Sequence, residues 1–175
     1  EADAEVDKTE KALNIRESSI GLDGNLFHLS GRLPVGPGRF YDVQFEAPES
    51  DIEALLSLIP LGAGEQLRSF HPKGRFRFSG MLRGVRDPNR PELPNPHFEM
   101  HFQSRQLSID TKMAGMELSG LAFQGFFTNG PENRVATTSL RIDSLRGKLN
   151  GHPVAADFSL SAFNDLTLAG TLRTS

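Results

Sequence analysis

The sequence predicts a mainly β protein, a long, curved antiparallel sheet with one short helix near residues 51–59. Three observations carry this. Apolar and polar residues alternate with period two along most of the chain, as in residues 41–47, where Tyr41, Val43, Phe45 and Ala47 share one face and Asp42, Gln44 and Glu46 the other. The 17 glycines and 11 prolines exceed the usual share of roughly 12 %, which marks many turns and therefore many short strands. The helical period of 3.6 is clear at one place only. The 13 phenylalanines and a net charge of −3 exclude a disordered chain.

Residues 1–11 are acidic and poor in large apolar groups, which reads as an edge strand or a frayed start. Alternation begins at Leu13, Ile15, Ile20 and Leu22. Residues 26–33 follow, with Phe27, Leu29 and Leu33 on one side, and Gly36-Pro37-Gly38 turns the chain into 41–47. At Ser50 the period changes. Ser50 and Glu53 have the spacing of a capping box, and Ile52, Leu55, Leu56 and Ile59 form one helical stripe that Pro60 ends. A second turn is expected at 65–69, so 50–69 reads as a helical insert whose stripe docks on the sheet. Alternation resumes at 75–82, with Phe76, Phe78 and Leu82 inward and Arg75, Arg77 and Arg83 outward. A Pro-rich loop over 86–96 follows, and then strands at 97–109, 118–127, 135–142, 145–149, 154–162 and 166–172. Asn150-Gly151 is a hairpin turn, since both residues tolerate positive φ. The count is about ten strands in a single domain over 1–175.

One pattern recurs: apolar-x-apolar-(Ser/Ala)-Gly-x-Leu, at residues 27–33, at 76–82 and, in part, at 166–172. Its glycine stands where an inward side chain is due, which predicts a bulge or strong curvature there.

Catalytic chemistry finds little footing. The chain has no cysteine, so disulfides, thiolate metal sites and thiol nucleophiles are excluded. No run reaches about 18 apolar residues, and no secretory leader pattern is visible. Gly62-Ala63-Gly64 follows a helix and lacks the context of a phosphate loop. Ser79 and Ser119 precede glycines inside strands, where no nucleophile elbow forms. His97, Glu99 and His101 share one strand face, but i to i+4 on a strand is about 13 Å, too far for both histidines to hold one metal. The carboxylates are scattered. No catalytic, metal or cofactor-binding residue is assigned, and no enzyme activity is expected.

Residues 68–90 are basic (Arg68, Lys73, Arg75, Arg77, Arg83, Arg86, Arg90). The preferred reading is a charged strand face that discourages edge pairing. Anionic headgroups are an alternative. Nucleic acid is not expected as a partner, because the aromatics lie opposite the arginines and leave no stacking platform.

The apolar face remains: Phe76, Phe78, Leu82, Phe98, Met100, Phe102, Leu140, Ile142, Phe158, Leu160 and Leu168, with Phe123 and Phe127 near them. One reading is the closed core of a sandwich or barrel, used for structure or protein binding. The other is a curved sheet whose face stays partly open and takes acyl chains.

Several stretches resemble the periplasmic region of AsmA-like proteins, the group that includes TamB-type envelope proteins. They are residues 51–60 with their closing Leu58-Ile59-Pro60, Lys73-Gly74-Arg75-Phe76-Arg77-Phe78-Ser79-Gly80, Leu93-Pro94-Asn95-Pro96-His97-Phe98, Asn150-Gly151-His152-Pro153-Val154, and Leu168-Ala169-Gly170-Thr171-Leu172. The resemblance spans residues 48–175, and 12–47 are compatible with it. It implies a β-taco or open half-barrel groove with the eleven residues above as its lining. It also implies a non-catalytic role in phospholipid handling or outer-membrane biogenesis, in the periplasm. The chain would then be a fragment of a longer protein that an N-terminal helix anchors in the inner membrane. The expected partners are phospholipid or another acyl-chain ligand, envelope proteins, or stacked copies of the chain itself.

Overall fold

The computed structural model describes residues 2–7, 11–22, 25–36, 38–53, 71–87, 89–90, 93–111, 115–162 and 165–174. It contains ten strands: β1 (Ala2–Asp7), β2 (Ala12–Leu22), β3 (Asn25–Pro34), β4 (Arg39–Asp51), β5 (Arg75–Arg86), β6 (His97–Thr111), β7 (Met116–Thr128), β8 (Ser139–Leu149), β9 (His152–Ser161) and β10 (Thr167–Thr174). Each strand pairs antiparallel with the next, so order in sequence is order in space. The result is one open sheet with β1 and β10 as its edges. The predicted fold class, a long antiparallel sheet, is the one observed. The sandwich alternative is not: it needs two sheets packed about 10 Å apart, and the described strands form one.

The strands are long because bulges let them bend without losing their sidedness. Ile15 faces Gly31 and Ser18 faces Leu29, so β2 carries one extra residue there. The same step occurs from Ala47 to Ser50 in β4, from Ser104 to Leu107 in β6 and from Ile142 to Leu145 in β8. In each case the residue after the bulge returns to the apolar side. A bulge bends its strand and increases local twist, which curves the sheet. The bulge of β8 explains a difference from the sequence reading. The expected strands 135–142 and 145–149 are one strand, Ser139–Leu149, with Ser144 at φ 55° inside it. Val135–Thr137 is a short 3-10 turn ahead of it. Asn150 and Gly151 make the tight turn to β9, with φ of 49° and 82°.

Around Ser50 the structure corrects the expected capping box. Asp51 Oδ1 accepts the backbone N–H of Glu53 at 2.8 Å, which is the bond of an N-cap residue. Ser50 is 1 % exposed and its hydroxyl has no partner among the described residues. Its backbone is held in β4, paired with Phe76, so the side chain points into the sheet face and away from the turn. Ile52 and Glu53 start a helical turn. The rest of the expected helix over 51–59, and the second turn at 65–69, lie outside the described residues.

This assignment is testable. A capping-box serine would lose about 1 kcal/mol on mutation to alanine. An unpartnered buried hydroxyl gives the opposite sign, so Ser50→Ala is expected to be neutral or to stabilise by up to about 1 kcal/mol. Asp51→Ala is expected to cost about 1 kcal/mol. Urea unfolding followed by circular dichroism reads both, and a destabilised Ser50→Ala would restore the box.

Candidate functional site

The register places the apolar side chains in continuous rows across the sheet. One row runs Leu29, Phe45, Gly80, Met100, Phe127, Leu140, Leu160, Leu168, one residue from each of β3 to β10. The next runs Ala47, Phe78, Phe102, Gly125, Ile142, Phe158, Gly170. Val43, Leu82 and Phe98 begin a third on one side, and Phe76 and Ser104 a fourth on the other. All eleven residues singled out from the sequence therefore lie on one face. The sequence reading also placed Phe123 and Phe127 near this face; it left out Leu29, Val43, Phe45 and Ala47, although the same alternation marked them.

The rings form a connected pavement. Phe76 stacks on Phe102 with centroids 5.6 Å apart, Phe98 meets Phe127 edge-on at 5.7 Å, and Phe102 meets Phe123 at 6.3 Å. Two contacts skip a strand. Phe27 of β3 reaches Phe78 of β5 at 6.4 Å, and Phe45 of β4 reaches Phe98 of β6 at 5.8 Å. Strands two apart are about 9.6 Å apart. The rings close that gap because the residues between them, Ala47 and Gly80, are small.

At Gly80 and Gly125 a neighbour's ring lies down in the gap, and at Gly170 the neighbouring strand comes close. A Cβ at Gly80 would sit 2.6 Å from Phe45 Cζ, one at Gly125 would run into the ring of Phe102 and sit 2.9 Å from Ile142 Cδ1, and one at Gly170 would sit 2.6 Å from Phe158 Cβ. Of the three recurring motif glycines, Gly80 takes a ring in this way, and Gly170 takes the close approach of the β9 backbone at Asp157 and Phe158. The third, Gly31, has φ +117° and faces Ile15 at the bulge of β2.

No second layer covers this face among the described residues. The eleven side chains are half-buried, except Ile142 at 7 % exposure and Leu168 at 67 %. The buried apolar set is small and contains no ring: Ala12, Ile15, Val43, Ala47, Leu107, Leu121, Ile142 and Val154. Such a surface offers dispersion contacts and a dry path.

The other face is polar. His97 bridges Asn133 Oδ1 at 2.9 Å and Glu99 Oε2 at 3.3 Å, and the ring of His101 rests on Phe126 with centroids 4.7 Å apart. Arg83 lies 3.7 Å from Asp42 and over the ring of Phe40. The reading of the basic run as an edge guard does not hold, because β5 lies between β4 and β6. The edge that carries guarding charges is β1, where exposed Asp3 and Glu5 stand 3.9 and 3.2 Å from Arg16.

A one-sided antiparallel meander with an aromatic pavement is thus the class of protein that fold and surface define. Comparison with protein-family models, with curated proteins and with solved structures finds no match.

The packing of rings into glycine gaps predicts a sharp size limit. Gly125→Val is expected to destabilise by about 1–3 kcal/mol, because the new methyls must displace Phe102 and Ile142. Gly21→Ala, where a Cβ meets nothing within 4 Å, is expected to stay within about 0.5 kcal/mol of the wild type. A Gly125→Val protein with an unchanged urea midpoint would mean that the ring does not occupy the gap.

Proposed function

We propose that the chain holds hydrocarbon, specifically phospholipid acyl chains, along its apolar face, and that it makes or breaks no bond. The observation that carries this is the row from Leu29 to Leu168, apolar or glycine at each of eight consecutive strands, with its rings half-exposed. Seven inter-strand steps of about 4.8 Å make a path of roughly 34 Å. One leaflet's hydrocarbon is about 15 Å deep, so the path exceeds one acyl chain. Each CH₂ withdrawn from water contributes about 0.8 kcal/mol, regardless of which ring it touches. Binding of this kind tolerates varied tails and lets them slide. The stretches that resemble AsmA-like proteins support the same reading and add a setting. The full-length protein would be anchored in the inner membrane, with this sheet in the periplasm, handling phospholipid or supporting outer-membrane biogenesis.

A second reading has its own observation. Every residue of β10 is exposed, and Leu166, Leu168 and Leu172 are 60, 67 and 71 % exposed. An edge with free backbone groups and apolar side chains is a template for another strand. An envelope protein or a second copy of the chain would extend the sheet there.

Native mass spectrometry of the freshly purified chain separates the two. Bound phospholipid is expected, lost in Phe102→Asp and in Leu160→Gln and retained in Ser159→Asp, whose new carboxylate faces Arg141 on the polar side. Lipid-free wild type that also fails to take up added phospholipid would remove the first reading. Concentration-dependent self-association abolished by Leu172→Lys would favour the second.

A further inference from the structure

The bulges point to a second site, on the polar face. A bulge turns two successive side chains outward, and in this sheet most of these are fixed by a neighbouring strand. Arg16 at the bulge of β2 pairs with Glu5 and Asp3 of β1. Glu49 at the bulge of β4 pairs with Arg75 at 3.1 Å. At the bulge of β8 the backbone N–H of Ser144 donates to Asp157 Oδ1 of β9 at 2.6 Å. The bulge of β6, at Arg105 and Gln106, is different: Arg105 has no ion pair or hydrogen bond among the described residues.

The surroundings of Arg105 add to its charge. The pair Phe76–Ser104 and the next bridge, Lys73–Ser108, bracket the bulge of β6, so Arg75 stands opposite the bulged segment that carries Arg105 and Gln106. Like charges facing each other across an antiparallel pair destabilise it. Arg77 Nε donates to the carbonyl of Pro48 at 2.7 Å, which holds the guanidinium and leaves its terminal nitrogens without a partner among the described residues. The bulges of β4 and β6 flank β5 at this level, and Arg75, Arg77, Gln103, Arg105, Gln106 and Glu49 line one depression of about 510 Å³. Lys73, just before β5, adds a further cation. Against them stand Glu49, held by Arg75, and Asp51, paired in register with Arg75.

We propose that this depression binds a phosphate or phosphodiester group, held between Arg77 and Arg105 with Gln103 as a third donor. Guanidinium groups match phosphate oxygens with paired N–H donors. Opposed cations between two bulges gain from an anion that bridges them. Glu49 faces the same depression and limits the charge to one phosphate. The site lies on the opposite side of the sheet from the aromatic rows and does not depend on what those rows hold. The phosphate could belong to a lipid headgroup or to a soluble compound, and the two sources are separable.

The test uses the whole chain at constant ionic strength, since surface charges are screened within about 10 Å at 0.1 M salt. Inorganic phosphate is titrated against the backbone amide NMR signals, and the chain is mixed with phosphatidylcholine vesicles with and without phosphatidylglycerol. Saturable shifts at Arg77, Gln103 and Arg105, or binding only to the phosphatidylglycerol vesicles, are expected. The first alone marks a soluble phosphate compound and the second alone a headgroup. Arg77→Gln with Arg105→Gln is expected to weaken either at least tenfold, and Arg173→Gln on β10 to change neither. Thermal unfolding keeps the outcome readable: without ligand at low salt, Arg105→Gln should melt no lower than the wild type, because it relieves repulsion by Arg75. No saturable binding of either probe, or equal binding by the double variant, overturns the site.

Discussion

Everything in this structure depends on one constraint: each strand must keep its apolar residues on the same side for its whole length, through every bend. Side chains on a strand alternate with period two, so a slip of one residue would send the aromatic set to the wrong face. Strands of 11 to 15 residues cannot stay flat, because pleated backbones twist. The bulges reconcile the two demands. Each adds one residue to one strand, and Ser18, Ser50, Leu107 and Leu145 return to the side of Ile15, Ala47, Ser104 and Ile142. The bulges span Arg16-Glu17, Pro48-Glu49, Arg105-Gln106 and Asp143-Ser144. None of these eight residues is a large apolar one, and the pairs interrupt the ladder where water can satisfy the freed groups.

This explains which parts of the fold could be read from the sequence. Sidedness within a strand is local, so the faces of 41–47, 75–82 and 97–102 were legible residue by residue. A bulge reads in sequence as a break in alternation, and a break looks like a turn. That is why one strand, Ser139–Leu149, read as two. The partnership of glycines with rings was illegible for another reason. Gly125 lies 23 residues from Phe102 in sequence, and only the register of β6 on β7 brings them together. The capping box failed on competition: Ser50 and Asp51 both suit a cap, and the pairing of Ser50 with Phe76 commits its side chain to the sheet face. The eleven apolar residues were assigned to one face correctly, whereas the arginine depression needs two bulges from strands far apart in the chain.

The energetics follow from having one layer. Among the described residues, a buried apolar core of eight small and medium residues is slight for ten strands. Cross-strand pairs then supply much of the stability, at about 0.2–1 kcal/mol each. The ring contacts are among the stronger, since aromatic pairs contribute about 0.5–1.5 kcal/mol beyond their burial. Those contacts run along the sheet rather than into a second layer, so they stabilise the pavement and still leave it accessible. Soluble monomers rarely expose a contiguous apolar patch of more than a few hundred Å². Among the described residues this face has no cover, and the proposed hydrocarbon is the cover least demanding of shape.

The two faces also differ in the kind of recognition they can support. A surface of rings and leucines recognises by area, which on the proposed reading would vary smoothly with tail length and hardly at all with tail identity. The arginines bind by geometry, which fails if one donor moves. A single backbone layer separates them, and side chains leave it in opposite directions, Phe76 and Phe78 to one side and Arg75 and Arg77 to the other. One phospholipid lying wholly along the aromatic rows cannot place its phosphate between Arg77 and Arg105 without crossing the sheet. If both proposals hold, the two surfaces take different molecules, or different parts of an assembly. A headgroup bound at the arginines would come from a bilayer lying against the polar face, while the aromatic rows turn away from it.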